Sequence, residues 1–285
     1  MKINWLAIAR QSAPVRIGLF LAILLLIWGP IAIAMALLAS WYQSERIFIV
    51  ALILLYLIFL GLLRGWGRQA YGLLRPLSYY GLTFSVRTAF WFLITFLVGA
   101  TGVGILFTLE VGLGWAELVP TSHLERIALE GLVTAIGVGW AEEIFFRGWL
   151  LGELEKDYSP AIALFSSSLI FALAHFIRPI SAILATWPQF FGLLVLGMAL
   201  VWAKRATTNR SHLPAGDLAA PAGLHAGLVW AYYVVDVSDW IVSSNQVPDW
   251  ITGIGGNPLA GGLGLLLLSA IALSFRSIRW QGMQP

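Results

Sequence analysis

Three ionisable residues interrupt an apolar stretch of this chain that is long enough to cross a lipid bilayer. The stretch covers residues 131–151, and it contains Glu142, Glu143 and Arg147. A transmembrane helix needs roughly 20 residues, and an unpaired charge at membrane depth costs at least about 2.5–3.5 kcal/mol. On a helix, Glu143 and Arg147 are i,i+4 neighbours that can neutralise each other, whereas Glu142 points about 100° away from Glu143. Glu142 therefore has no partner on its own helix and is the first candidate for a functional residue.

The composition of the whole chain indicates an integral membrane protein. Of its 285 residues, 59% are hydrophobic and 11% are charged, and the mean hydropathy is +0.85. A soluble domain carries about 25% charged residues. The absence of cysteine excludes disulfides, thiolate nucleophiles and Cys-based metal sites. The net charge of +3 arises from basic residues that flank apolar segments, which favours membrane lipids over nucleic acid as partners.

The apolar segments predict an all-α membrane protein with eight transmembrane helices. The predicted spans are residues 17–39, 47–63, 89–107, 131–151, 161–177, 187–203, 218–235 and 259–275. Polar connections are predicted at residues 64–87, 108–130, 153–160 and 204–217. With this count, 13 of the 17 basic residues lie on one side of the membrane and three on the other, and Arg147 lies within span four. Because basic residues concentrate on the cytoplasmic side, both termini are predicted to be cytoplasmic, in a multi-pass protein of the plasma (inner) membrane.

Two histidines lie in other predicted spans. His175 ends the sequence Phe-Ala-Leu-Ala-His of span five, and His225 lies between Gly223 and Gly227 in span seven. One interpretation is structural: each imidazole hydrogen-bonds to a neighbouring helix and adds about 0.6–2 kcal/mol to assembly, while the glycines allow close packing. An acidic pair, an arginine and two histidines in one bundle make a shared chemical site the better hypothesis.

One glutamate and two histidines suit two kinds of hydrolytic site. A zinc ion held by two His ligands and one Glu ligand would activate a bound water. Without a metal, a carboxylate would deprotonate the water, one imidazole would help to orient it and the second would stabilise the oxyanion. The zinc signature His-Glu-x-x-His is absent, so the zinc site rests on composition alone. The residue types by themselves leave both alternatives open.

Three motifs, each on its own predicted helix, resemble those of the CPBP family. This family groups the CAAX prenyl endopeptidases with bacteriocin-processing and immunity-type membrane proteins. The resemblance covers about residues 124–230, and the motifs are Glu142-Glu143-x-x-x-Arg147, Phe171-x-x-x-His175 and His225 in Gly-Leu-His-Ala-Gly. It implies eight helices around an intramembrane cavity open to the cytoplasm, and a glutamate protease that needs no metal or other cofactor. Residues 1–116 would then hold helices one to three, and residues 117–285 the catalytic-type core of helices four to eight, in one integrated membrane domain.

The resemblance also assigns roles to the motif residues. The catalytic residues that it implies are Glu142, His175 and His225. The glutamate would activate a water with help from the first histidine, and the second histidine would help to form the oxyanion hole. Glu143 and Arg147 would be a structural ion pair in the site, and Phe171 would support it.

The chain departs from the family pattern at Val229. The last motif of the family is His-x-x-x-Asn or Asp, and the valine four residues after His225 cannot donate a hydrogen bond. Losing one oxyanion donor costs about 10²–10³ in rate in well-studied hydrolases. The predicted depths of Glu142 and His175 in the membrane are a second difficulty, because they differ. At a rise of about 1.5 Å per residue, Glu142 lies ~13 Å from the cytoplasmic end of its predicted span, whereas His175 lies ~21 Å from the cytoplasmic end of its own.

These observations support a leading functional hypothesis and two rivals. The leading hypothesis is an intramembrane endopeptidase that hydrolyses a membrane-associated or prenylated peptide or protein near the cytoplasmic side. Its main rival is a catalytically impaired family member that acts as a membrane scaffold or an immunity and protection protein. A small-molecule transporter would also place charges at mid-bilayer, but inverted halves are not evident in the sequence.

Overall fold

The computed structural model describes residues 4–44, 46–208 and 217–281 and is almost entirely helical. Its helices are α1 (Trp5–Ala9), α2 (Ala13–Tyr42), α3 (Arg46–Tyr71), α4 (Pro76–Tyr79), α5 (Val86–Gly112), α6 (Leu124–Glu143), α7 (Leu151–Leu154), α8 (Pro160–Ala174), α9 (Ile180–Thr186), α10 (Gln189–Thr207), α11 (Ala219–Ser238), α12 (Asp249–Thr252) and α13 (Gly262–Gln281). A π-helical segment, Ile144–Leu150, joins α6 to α7, and two short 3₁₀ turns, Ile254–Gly256 and Pro258–Ala260, precede α13.

The architecture confirms an all-α membrane protein. Four helices, α2, α3, α5 and α10, are long and apolar enough to cross a bilayer, and α8 and most of α13 are shorter apolar helices. Each of the eight predicted spans coincides with a long helical segment, but the number of spans and the side of each terminus stay predictions. One small sheet departs from the all-α pattern. Strands β1 (Ala116–Leu118) and β2 (Ile241–Ser243) pair antiparallel and tie the α5–α6 connection to the α11–α12 connection.

Several helices extend beyond their predicted limits. The prediction that residues 64–87 form a surface segment is wrong, because α3 continues to Tyr71, and Trp66 and Tyr80 are completely buried. Glu110, predicted in a loop, lies in the last turn of α5 and is buried. These predictions failed because hydropathy places a helix end at the first charged residue, whereas helix hydrogen bonding continues through charged residues that find polar contacts.

The helix that carries the acidic pair is also longer than predicted. It runs without a break from Leu124 to Leu154 through the π-helical segment. Glu142 therefore lies 12 residues, or about 18 Å, from the end of this helix, and His175 lies about 22 Å beyond Pro160 at the start of α8. The two depths now differ by about 4 Å instead of about 8 Å, which reduces the difficulty noted in the sequence.

Aromatic side chains join the N-terminal helices to the helix that carries the acidic pair. The ring of Phe20 in α2 lies 4.2 Å from the ring of Trp149 and 5.4 Å from that of Trp66, measured between centroids. Phe59 in α3 lies 5.9 Å from Phe20 and 5.4 Å from Phe145. Such pairs contribute about 0.5–1.5 kcal/mol each beyond the burial of their area. The two predicted parts of the chain, residues 1–116 and 117–285, thus contribute side chains to one buried cluster.

A buried polar cluster fastens the same helices near their ends. Glu153, predicted in a charged turn, is completely buried and accepts hydrogen bonds from Arg16 Nε at 2.8 Å, the Tyr71 hydroxyl at 2.7 Å and Lys156 Nζ at 2.9 Å. Burial lowers the pKa of Lys156, and the Glu153 carboxylate opposes that shift. The three donors come from α2, α3 and the turn after α7, so they offset the desolvation of one carboxylate and fix three segments together.

Two glycines set the orientation of α11 against α5. A Cβ at Gly223 would collide with the carbonyl oxygen of Phe92, and one at Gly227 with that of Phe96. Side chains larger than hydrogen are therefore excluded at this helix contact. His225 lies midway between the two glycines, roughly 200° around the helix from Gly223, so it projects away from α5 and into the bundle.

Candidate active site

The motif residues come together from three helices. Glu142 and Glu143 are the last two residues of α6, directly before the π-helical segment that contains Arg147. His175 follows the last residue of α8 and caps that helix, and His225 lies in the first half of α11. Helices that are far apart in the sequence thus place two carboxylates and two imidazoles in one region.

A buried chain of hydrogen bonds links Arg147, Glu143 and His225. Arg147 Nη1 donates to Glu143 Oε1 at 2.8 Å, and His225 Nδ1 lies 2.9 Å from the same oxygen. Arg147 and Glu143 are completely buried, and His225 is 4% exposed. Because an ionised carboxylate only accepts hydrogen bonds, Nδ1 of His225 carries a proton and donates it to Glu143. Glu143 therefore neutralises Arg147 and also fixes the orientation of His225, as carboxylates do for many functional imidazoles.

Phe171 lies at the centre of the arrangement. Its ring centroid is 4.2 Å from the guanidinium carbon of Arg147, a cation–π contact worth about 2 kcal/mol when desolvated. The same ring meets the His175 ring edge-on at 4.6 Å and the His225 ring at 6.1 Å. Arg147 Nη2 also donates to the carbonyl oxygen of Gly197 in α10, at 3.3 Å. The ring thus packs against both imidazoles and against the guanidinium, which is hydrogen-bonded to α10.

Glu142 is the least buried carboxylate of the group. Its side chain is 31% exposed, and its Oε2 lies 3.9 Å from His175 Nε2 and 4.0 Å from His225 Nε2. Both separations exceed a direct hydrogen bond, which joins N and O at about 2.7–3.2 Å. They are short enough for one water molecule to contact Glu142 and an imidazole at the same time. Glu142 therefore faces both histidines, although it points away from the Glu143–Arg147 pair.

The hydrogen bonding of His175 fixes which of its nitrogens can accept a proton. Nδ1 lies 2.8 Å from the carbonyl oxygen of Phe171, one helical turn earlier. A carbonyl oxygen can only accept, so Nδ1 carries the hydrogen, and in the neutral ring Nε2 has the free lone pair. That lone pair is on the atom nearest to Glu142. The end of α8 thus presents a hydrogen-bond acceptor to the space beside the carboxylate.

The π-helical segment and Lys204 were both missed by the sequence analysis. The Leu151 N–H donates to the Phe146 carbonyl oxygen, five residues back, instead of to that of Arg147. Lys204, predicted in a basic loop, is buried in α10, and its Nζ donates to the Arg147 carbonyl oxygen. The sequence does carry a signal that Lys204 lies near Arg147. Lys204 follows Gly197 by seven residues and therefore lies on the same face of α10 as the glycine whose carbonyl oxygen accepts from Arg147. Single π-helical turns inside α-helices are frequent at functional sites.

A cavity of about 120 Å³ lies beside His225. Val229 lines it one turn further along α11, together with aliphatic residues of α10 and α13 such as Leu196 and Leu268. Glu142 and His175 are not among its lining residues, so this cavity is not the one predicted to hold all three residues. The cytoplasmic opening implied by the family resemblance would lie on the side of residues 204–210, of which 209 and 210 lie outside the described residues.

The donor atoms of Glu142, His175 and His225 are too far apart to bind one zinc ion together. Ligands around a tetrahedral zinc ion at about 2.0–2.1 Å lie roughly 3.4 Å from each other. The 3.9 and 4.0 Å separations of Glu142 from the two imidazoles are wider than that. Within residues 4–44, 46–208 and 217–281, no three His, Asp or Glu side chains are arranged to bind a metal ion. The side chains as placed do not fit zinc.

Comparison with known proteins supports the predicted family. Residues 124–231 match the model of a family described as type II CAAX prenyl endopeptidase Rce1-like. The matched segment begins at the first residue of α6 and ends within α11, so it contains every motif residue described above. Neither a curated protein nor a solved structure matches the chain. Over residues 124–231 the chain is therefore similar to the Rce1-like type II CAAX prenyl endopeptidases, which supports the family predicted from its three motifs.

Proposed function

We propose that this protein is an intramembrane endopeptidase that hydrolyses membrane-associated, prenylated peptides or proteins with a water activated by Glu142. The observation that carries the proposal is the position of Glu142 Oε2, about 4 Å from the Nε2 atoms of both His175 and His225. Each imidazole is also held through its Nδ1 atom by an acceptor of its own. A partly exposed carboxylate beside two oriented imidazoles is the constellation that hydrolysis without a metal requires.

The proposed reaction begins with a water between Glu142 and His175. Glu142 takes one proton from the water, and the other hydrogen is donated to His175 Nε2, which leaves an oxygen lone pair directed at the scissile carbonyl carbon. Attack breaks the carbonyl π bond and places a negative charge on the carbonyl oxygen. When the tetrahedral intermediate collapses, the C–N bond breaks and Glu142 returns its proton to the leaving amine. The carboxylate is thereby regenerated.

His225 is the proposed hydrogen-bond donor to the oxyanion. Its Nδ1–H is engaged with Glu143, so a second proton on Nε2 would give an imidazolium that donates towards the substrate.

The experiment that tests the proposal is a cleavage assay with the full chain in liposomes. The probe is a peptide that ends in a prenylated CAAX sequence, and its products are identified by mass spectrometry. We expect cleavage by the wild-type chain and none by Glu142→Ala. A cleavage rate that is the same for both chains would show that Glu142 is not the base.

Replacing Val229 with asparagine is expected to raise kcat. Val229 lies one turn after His225 and lines the same cavity, so an amide there could donate a second hydrogen bond to the oxyanion. Since one such donor is worth about 10²–10³ in rate when ideally placed, we expect at least a tenfold rise for Val229→Asn. The matched control is Val229→Leu, which adds no donor and should show no rise. An unchanged kcat for Val229→Asn would mean that a missing donor at this position does not limit the rate.

We also propose eight spans, with both termini on the cytoplasmic side of the plasma (inner) membrane. The burial of Arg16 and Lys204 leaves 11 of the 13 basic residues on the proposed cytoplasmic side, against three on the other. That difference still favours the same orientation. Reporter fusions after residue 210 and at the C-terminus should be cytoplasmic, and a fusion after Asn257 should be external. A C-terminal reporter on the external side would contradict the proposed topology.

A further inference from the structure

An acidic cavity lies at the end of the bundle remote from Lys204. Its volume is about 340 Å³, and it is formed where α5 and α11 end, under the β1–β2 sheet. The opposite end of α5 is next to the end of α10, since Arg87 Nη2 donates to the Thr207 carbonyl oxygen at 2.9 Å. The cavity is therefore separated from the proposed catalytic residues, none of which lines it.

The charges in this cavity are all of one sign. Its acidic lining residues are Glu110, Asp236, Asp239 and Asp249, and no basic residue lines it. Glu110 is only 4% exposed, and its Oε1 atom has no hydrogen-bond partner among the described residues. A buried carboxylate oxygen without a donor is costly, and a cationic group in the cavity would offset that cost.

The positions of two of these acids add to the cost. Glu110 lies in the last turn of α5, which ends at Gly112, and Asp236 lies in the last turn of α11, which ends at Ser238. A helix C-terminus carries partial negative charge, so acidic side chains are unfavourable there. The two carboxylates and the two helix ends together produce a negative field that a cation would neutralise.

The dimensions of the cavity favour an organic cation over a metal ion. Among the described residues, no three acidic or histidine side chains are close enough to share a metal ion. A volume of about 340 Å³ is within the range of about 300–1,000 Å³ that is typical of small-molecule pockets. Phe107 and the ring of Tyr232 also line the cavity and supply apolar and aromatic wall. Separated charges joined by apolar wall match a ligand whose cationic groups are joined by alkyl chains.

We propose that this cavity binds a small linear polyamine, with one ammonium group at buried Glu110 and others at Asp236, Asp239 or Asp249. This site is independent of the peptide cleavage proposed above. The ligand is recognised by its separated ammonium groups and its alkyl chain, and neither a single metal ion nor a neutral amine satisfies all the carboxylates.

The test is a titration of the purified full chain with spermidine at constant ionic strength, in which binding is measured by calorimetry. The Tm is measured by thermal unfolding with and without spermidine. We expect saturable binding at one site and a rise in Tm. Glu110→Gln should raise Kd by about tenfold or more, since hydrogen bonds to charged groups contribute about 1.5–3 kcal/mol. Glu117→Gln is the matched control, because Glu117 is an exposed acid of β1 at the same end of the molecule and does not line the cavity. The Kd of the Glu117→Gln variant for spermidine should equal that of the wild type.

Several results would overturn the proposal. These are the absence of saturable spermidine binding, an equal Kd in wild type and Glu110→Gln, and competition by stoichiometric Ca²⁺ with higher affinity. If Glu110→Gln does not accumulate, the combined variant Asp236→Asn/Asp239→Asn/Asp249→Asn replaces it, because these three acids are exposed and their substitution should weaken binding without loss of the fold. An unchanged Kd in that variant would equally reject the site.

Discussion

Glu142→Gln is expected to lower kcat for peptide cleavage by at least about 10³-fold and to leave the Tm within about 2 °C of the wild type. The amide keeps the shape of the carboxylate but cannot take a proton from water. The stability should hardly change, because Glu142 is partly exposed and makes no direct hydrogen bond to either histidine. Single-turnover cleavage in liposomes and thermal unfolding of the same preparations measure both quantities.

Two controls make this result specific. Glu130→Gln removes a carboxylate from an exposed pair with Arg126 on the same helix and should retain the wild-type rate. EDTA should not change the wild-type rate if the water is activated by Glu142 alone, and a loss of rate that zinc restores would support the metal site instead. A chain that keeps its biological activity after Glu142→Gln would be a scaffold and not a protease.

Arg147→Ala is expected to lower the Tm by roughly 10 °C. The substitution leaves Glu143 as a buried carboxylate whose arginine partner is gone, and it also removes the contacts of the guanidinium with the Gly197 carbonyl oxygen and the Phe171 ring. Loss of one partner of a buried ion pair costs about 3–5 kcal/mol. For a chain of this size, each kcal/mol lowers the Tm by about 2–4 °C. Thermal unfolding in detergent and the yield of folded protein measure the effect.

The double variant Arg147→Ala/Glu143→Gln should recover part of the lost stability, because it removes the stranded negative charge. Arg126→Ala is the matched control: it breaks an i,i+4 pair of the same kind, but the Arg126 side chain is 77% exposed. Exposed pairs contribute about 0–1 kcal/mol, so its Tm should remain close to that of the wild type. A Tm for Arg147→Ala that equals the wild-type value would mean that the pair with Glu143 does not stabilise the fold.

Much of this protein could be predicted because the evidence is local in the chain. Apolar runs of membrane length predicted the helices, and the i,i+4 spacing of Glu143 and Arg147 predicted a pair that the structure contains. The glycines around His225 predicted a close helix contact, which α5 and α11 form. The motifs predicted the family that the comparison supports, whereas the catalytic roles of their residues stay predictions. Each of these signals lies within a single helix, whose hydrogen bonding fixes the relative positions of its residues.

Tertiary structure decided which helix faces meet, and a single helix carries no information on that. It decided that Glu143 holds His225 as well as Arg147, and that Glu142 lies between the two imidazoles. It also decided the burial of charged residues that hydropathy had placed in loops or at membrane flanks: Arg16, Glu110, Glu153 and Lys204. Hydropathy evaluates each residue against lipid and water, whereas a buried charge is stabilised by donors and acceptors from other helices. Those partners are far away in the sequence, and only the packed bundle brings them within hydrogen-bonding distance.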